Sequence, residues 1–115
     1  MKHKYGEYTE FQIREFKTRI RRTIFLLLLS ADPKTKNDYA YVNPHQVFRS
    51  LLFELGGASS VFPTSPEIVE AVNLLEQARK MLKWKRFNFE DYRKLILDAG
   101  ASIGRMKEVD DDVEF

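Results

Sequence analysis

Two clusters of basic residues are the strongest chemical signal in this 115-residue sequence. The first basic cluster lies within residues 14–22, and the second, within 79–86, has Trp84 among its cations. Lysine and arginine neutralise phosphates and release counterions, while an indole stacks on a base. We therefore predict contacts to a nucleic-acid backbone from Arg14, Lys17, Arg21, Arg22, Arg79, Lys80, Lys83, Trp84, Lys85 and Arg86.

A second interpretation of the same residues needs no ligand. Both clusters can be ordinary solvated faces of helices, with Trp84 anchoring its segment in the core. A helix-turn-helix is not indicated, because the segment after the second predicted helix is long and contains proline. Whether the two clusters share one surface decides whether a continuous strand can cross both.

The second indication of function in the sequence is an excess of apolar residues in the first predicted helix. The stretch 9–29 begins as a basic amphipathic helix, whereas residues 24–29 are apolar on every side. Phe25, Leu26 and Leu29 continue the directions that the charges occupied one turn earlier. We predict that these three residues form an interface with a protein partner or a second copy. The alternative is that this helix is central and enclosed by the others.

Groups that could catalyse a reaction are few. His3 and His45 have no second metal ligand at helical spacing, and the chain has no cysteine. A Gly-x-Ser-x-Gly elbow and a Walker loop are both missing from the sequence. Acidic residues open predicted helices, where they complement the dipole, or lie in 110–112, a run more typical of a solvated tail than of a magnesium site. The sequence predicts no enzyme, no metal and no cofactor.

Charge is distributed unevenly along the chain. The formal net charge is +2, but the segment 108–115 holds five of the 17 acidic residues and no basic one. The region 1–107 therefore has 19 basic against 12 acidic residues, a balance of about +7. The longest apolar run, 24–29, is far short of the roughly 20 residues that span a bilayer. We expect a cytoplasmic protein with no membrane contact, in agreement with the lack of cysteine.

Helix start signals divide the chain into four helices. Thr9, Asn43, Ser65 and Asn88 are the predicted N-caps, and proline follows two of them. Gly56-Gly57 is predicted to end the second helix. Gly100 and Gly104 either end the fourth helix or, as a small-residue strip with Ala101, let it approach a neighbour closely. We predict an all-α bundle with helices at about 10–29, 44–55, 66–83 and 89–103, the first packed against the other three. A flexible N-terminal arm, one domain over 1–107 and a disordered acidic tail at 108–115 complete this prediction.

In size and architecture, a small basic helical bundle resembles the small subunits of CRISPR effector complexes, which line a nucleic-acid path. A four-helix unit with a loose tail is also similar to bacteriocin immunity proteins. The leading hypothesis is a non-enzymatic accessory subunit that binds nucleic-acid backbone and assembles with proteins. The alternative is a protein-binding inhibitor or immunity-type protein with no nucleic-acid role.

Overall fold

The computed structural model describes residues 2–3, 6–7, 10–61, 65–84 and 86–106. These residues form an all-α bundle of four helices, as predicted, preceded by a two-residue antiparallel pairing of β1 with β2. The acidic tail and most of the N-terminal arm lie outside the described residues, so their predicted flexibility stays a prediction. The elements are β1 (Lys2–His3), β2 (Gly6–Glu7), α1 (Glu10–Ala31), α2 (Pro44–Val61), α3 (Pro66–Met81) and α4 (Phe89–Gly104).

Consecutive helices run antiparallel around the bundle. Arg19 of α1 pairs with Glu54 of α2, and the Ser102 hydroxyl of α4 donates to the carbonyl of Glu67 in α3 at 3.0 Å. Both α1 and α3 pack extensively against α2 and α4. Helices α1 and α3 therefore occupy diagonal corners and point the same way. The prediction that α1 packs against all three other helices is wrong, and one side of α1 faces outward.

The core is built from apolar residues at helical spacing. In α1, Ile13, Ile20, Ile24 and Leu27 are almost fully buried, as their period predicts. Burying one such side chain is worth about 1.5–3 kcal/mol, which makes this stripe the main reason for α1 to pack. The other helices contribute Phe48, Leu51, Leu55, Ile68, Ala71, Leu75, Ala78, Met81, Tyr92, Ile96, Ala99 and Ile103.

Tyr92 joins three helices near the start of α4. Its buried ring stands edge-on to Phe48 of α2, with ring centroids 6.4 Å apart, and to Phe87 at 5.1 Å. Its hydroxyl donates to the carbonyl of Leu27 in α1 over a long 3.4 Å, and burial raises the pKa of this phenol. The first turns of α2 and α4 thus lie beside the last turns of α1.

The predicted helix starts are confirmed where the structure describes them, although the capping contacts differ. Asn43 accepts from the backbone N–H of His45 at 3.0 Å, and Asn88 accepts from that of Asp91 at 3.1 Å. Ser65 precedes Pro66 at the first position of α3 but makes no side-chain capping bond there. Thr9 lies outside the described residues.

The predicted stop at Gly56-Gly57 is wrong. Helix α2 continues through both glycines to Val61, and neither glycine adopts a positive φ. Ala58 packs against the core one turn beyond Leu55, so tertiary contact holds the additional turn. Helix α4 likewise passes through Gly100, where an added Cβ would lie 3.9 Å from the Cγ2 of Ile24. That distance is an ordinary van der Waals contact, so the packing against α1 does not require glycine there. The helix ends at Gly104, one of the two glycines predicted to end it.

The connection between α1 and α2 is a series of turns. The backbone N–H of Lys34 donates to the Asp32 carboxylate at 2.9 Å, and the Thr35 hydroxyl donates to the carbonyl of Leu29 at 2.7 Å. Asp32-Pro33 and Asn37-Asp38 in this connection are residue pairs that favour turns. Residues 39–41 belong to the same turns and form no extended strand.

Replacing either glycine of α2 with alanine is expected to stabilise the bundle. An added Cβ at Gly56 or Gly57 meets no atom of the described residues within 4 Å, so we expect the reduced freedom of the unfolded chain to decide the effect. Each variant should raise the free energy of unfolding by about 0.4–1 kcal/mol in urea denaturation. As a control, Gly57→Pro should cost about 3 kcal/mol. A loss of stability in the alanine variants would mean that these glycines end the helix.

Candidate functional site

The second basic cluster lies where α3 ends and turns toward α4. The Trp84 side chain is 57% exposed, so the interpretation that places it in the core is wrong. Arg79 pairs with Glu76 on its own helix at 2.9 Å. Lys80, Lys83 and Arg86 are exposed and form no ion pair with any described residue. Lys85 lies outside the described residues.

A shallow hollow of about 420 Å³ lies beside the indole. Met81 and Leu95 supply apolar surface, whereas Asp91 and Asp98 place two carboxylates along it, with Lys94 nearby. Carboxylates repel phosphate, so a nucleic-acid backbone would have to avoid this side and follow the cations at the end of α3 and just beyond it. The apolar surface next to Trp84 can accept a flat ring.

Three cations of the first basic cluster hold α1 to its neighbours. The Lys17 ammonium donates to the carbonyl of Met106 at 2.8 Å, just beyond α4. A helix C-terminus carries partial negative charge, and α4 has no basic residue in its last turn, so α1 supplies the cation. Arg21 lies against Gly104, where an added Cβ would be 3.3 Å from the guanidinium carbon. Arg19 pairs with Glu54 and lies 5.8 Å from the centre of the Phe16 ring.

The structure does not bring the two basic clusters together. The first lies within residues 14–22 of α1, and the second lies at and just beyond the end of α3, the diagonally opposite helix. Lys17 lies level with the end of α4, whereas Tyr92, six residues beyond Arg86, lies level with the end of α1. At about 1.5 Å per residue, the step from Lys17 to Leu27 alone covers about 15 Å of the bundle. The clusters are therefore separated both along the bundle and around it.

A groove with a volume of about 610 Å³ runs between α1 and α4 and reaches Tyr39. Phe25 is 49% exposed in one wall and Leu97 is 38% exposed in the other. Gly100 has no side chain, which leaves room between the helices. The three residues predicted to form a protein interface, Phe25, Leu26 and Leu29, all line this groove, and Leu26 and Leu29 are partly exposed.

Sequence reasoning missed part of this groove. Leu97 and Tyr39 belong to it only because α4 and the turn region pack beside α1. The exposed position of Leu97 could have been identified from its angle to the buried stripe of α4, but its proximity to Phe25 could not. Arg21 and Arg22 also line the groove, so the two predicted sets on α1 meet at its basic end.

Among the described residues, no group of three or more acidic or histidine side chains is placed so that it could hold a metal ion. Among the helices seen, none is both long enough and apolar enough to cross a membrane.

Comparison with known proteins found no match to this chain among protein families, curated proteins or solved structures. The resemblances to CRISPR small subunits and to immunity proteins therefore rest on size and architecture alone.

Replacing Lys17 with methionine is expected to loosen the end of α4. The change keeps the apolar stem but removes a charged donor from the carbonyl of Met106, at a cost of about 1 kcal/mol for a partly exposed bond. Hydrogen exchange of the Arg105 and Met106 amides should accelerate, because both close the last turn. The matched control is Arg22→Met, which removes an exposed cation of the same helix. Equal acceleration in both variants would contradict the assigned role of Lys17.

Proposed function

We propose that this chain is a non-enzymatic helical accessory subunit of the cytoplasm. Its second basic cluster contacts a nucleic-acid strand, and the groove between α1 and α4 binds a protein partner. The observation that carries the nucleic-acid part is the exposed Trp84 among Lys80, Lys83 and Arg86, none of which pairs with a described acidic residue.

These four side chains match what a single strand requires. An exposed indole stacks on any base, and such stacking is worth about 1–3 kcal/mol per base. The cations before and after it in sequence can neutralise phosphates on either side of the stacked base. A base in a duplex presents no free face to the indole, so we expect a preference for unpaired strands.

The proposed footprint is narrower than the sequence predicted. Lys17 and Arg19 contact neighbouring helices, Arg79 is paired with Glu76, and the two basic clusters lie apart. Three cations and one stacking residue give a weak contact on their own. Weak contacts become effective when a second interaction raises the local concentration, which fits an accessory subunit held by a protein partner.

Filter-binding titrations at two salt concentrations test the nucleic-acid part, with single- and double-stranded DNA and RNA as probes. For about three neutralised phosphates on a single strand, log affinity should fall against log salt with a slope of about −2. Trp84→Ala should weaken binding about tenfold through lost stacking. Lys83→Gln should weaken binding and make the slope less steep by about 0.7.

Arg22→Gln is the matched control, because it removes an exposed cation from the first basic cluster. Its binding should equal that of the unmodified protein. Salt-insensitive binding, or no binding to any of the four probes, would refute the nucleic-acid part.

The groove favours a second candidate function, a protein-binding inhibitor with no nucleic-acid role. It presents two exposed apolar walls, Phe25 and Leu97, and such surfaces mark protein interfaces. In this case the basic residues beside Trp84 would serve solubility only. The two candidates differ in what salt and charge reversal do to the isolated complex.

Size-exclusion chromatography of the protein purified with its partner from the native host distinguishes them. An inhibitor should give a discrete stoichiometric complex that survives high salt and the change Lys83→Glu with Arg86→Glu. Phe25→Asp should dissociate that complex, because it places a charge in the apolar groove. Phe53→Asp is the matched control, since Phe53 is 85% exposed on α2 outside the groove. If both aspartate variants act alike, the groove is not the interface.

A further inference from the structure

The described chain ends beside the basic end of the groove. Met106 is buried, and its carbonyl accepts from Lys17 of α1 at 2.8 Å. Arg21, one turn further along α1, lies against Gly104 and also lines the groove. The last described residue of the chain therefore lies next to the place where the groove begins.

The order of chemistry along the groove matches the order along the segment 108–115. From the exit at Met106, the groove offers the cations Arg21 and Arg22 first and the apolar walls Phe25 and Leu97 next. The segment reads EVDDDVEF, with most of its acids before Val113 and Phe115. Acids would thus meet cations, and the apolar residues that follow would meet apolar walls.

We propose that the acidic segment 108–115 folds back and occupies the groove between α1 and α4 of its own chain. An extended chain covers about 3.3 Å per residue, so residues 107–115 reach about 30 Å. The groove from Arg21 to Leu29 follows eight residues of helix, or about 12 Å. The segment is long enough to reverse direction after Met106 and still pass Phe25.

This docking pairs the exposed phenylalanine and leucine of the groove with the acidic segment that directly follows the described chain in sequence. Charge pairing sets the direction in which the segment enters, and apolar burial of Val113 and Phe115 holds it. Its regulatory consequence rests on the proposed function: a partner that uses the groove must first displace the segment. The docking itself requires no partner and no nucleic acid.

Paramagnetic broadening in the full chain tests this placement. The chain has no cysteine, so Glu114→Cys accepts a single nitroxide label while Val113 and Phe115 stay intact. Docking predicts that the amides of Leu97, Gly100 and Ala101 lose most of their intensity. The amides of Phe53 on α2 and Val69 on α3 should lose much less intensity, because these residues lie outside the groove and farther from a label docked in it.

The matched control carries the same label together with Arg21→Gln and Arg22→Gln. Groove amides should regain their intensity in this variant, while an unchanged spectrum elsewhere shows that it folds. Absence of broadening at the groove in the parent labelled protein would overturn the proposal. So would selective broadening that appears in a mixture of labelled protein and isotope-enriched unlabelled protein, because the occupant would then be a second copy.

The readout uses the chain alone. Failure of the docking would therefore leave the filter-binding and partner experiments unaffected, and failure of those experiments would leave this result standing.

Discussion

The packing of α1 against α4 is the contact on which the rest of this structure depends. It is tied at one end by Lys17 and the carbonyl of Met106, and at the other by the Tyr92 hydroxyl and the carbonyl of Leu27. Between these points the apolar stripes of both helices are buried. The same pairing of helices creates the groove and places the end of α4 beside the cations of α1. It also leaves the Phe25 side chain partly exposed in the groove wall.

Positive charge in this chain has two different physical uses. In α1, Lys17, Arg19 and Arg21 contact residues of other elements. Lys17 and Arg19 offset partial or full negative charges there, and Arg21 lies against a glycine. Beside Trp84, the cations Lys80 and Lys83 have no such contact with described residues. Similar composition in sequence thus conceals a difference between cations that contact neighbouring elements and cations that contact no other described element.

Features that depend on interactions between residues close in sequence could be predicted, whereas features that depend on tertiary contacts could not. Helix starts at Asn43 and Asn88 and the buried stripe of α1 depend on residues within a turn or two, and they were predicted correctly. The end of α2 was predicted incorrectly, because glycine can either end a helix or continue it. The packing of Ala58 against the core decides between these two outcomes. The exposure of Trp84 and the proximity of Phe25 to Leu97 depend on which helices lie next to each other. The periodicity of apolar residues within one helix does not specify its neighbours.

The diagonal arrangement of α1 and α3 has a consequence for the order in which the molecule assembles. Each helix contacts the next along the chain, so most packing forms between near neighbours in sequence, a feature of rapidly folding proteins. The contact between α1 and α4 is the exception, since Lys17 and Met106 are 89 residues apart. During synthesis, α1 must wait with one apolar side uncovered until α4 has emerged. The groove therefore cannot form before α4 is in place, and a partner that recognises it would select chains in which α1 and α4 have already packed.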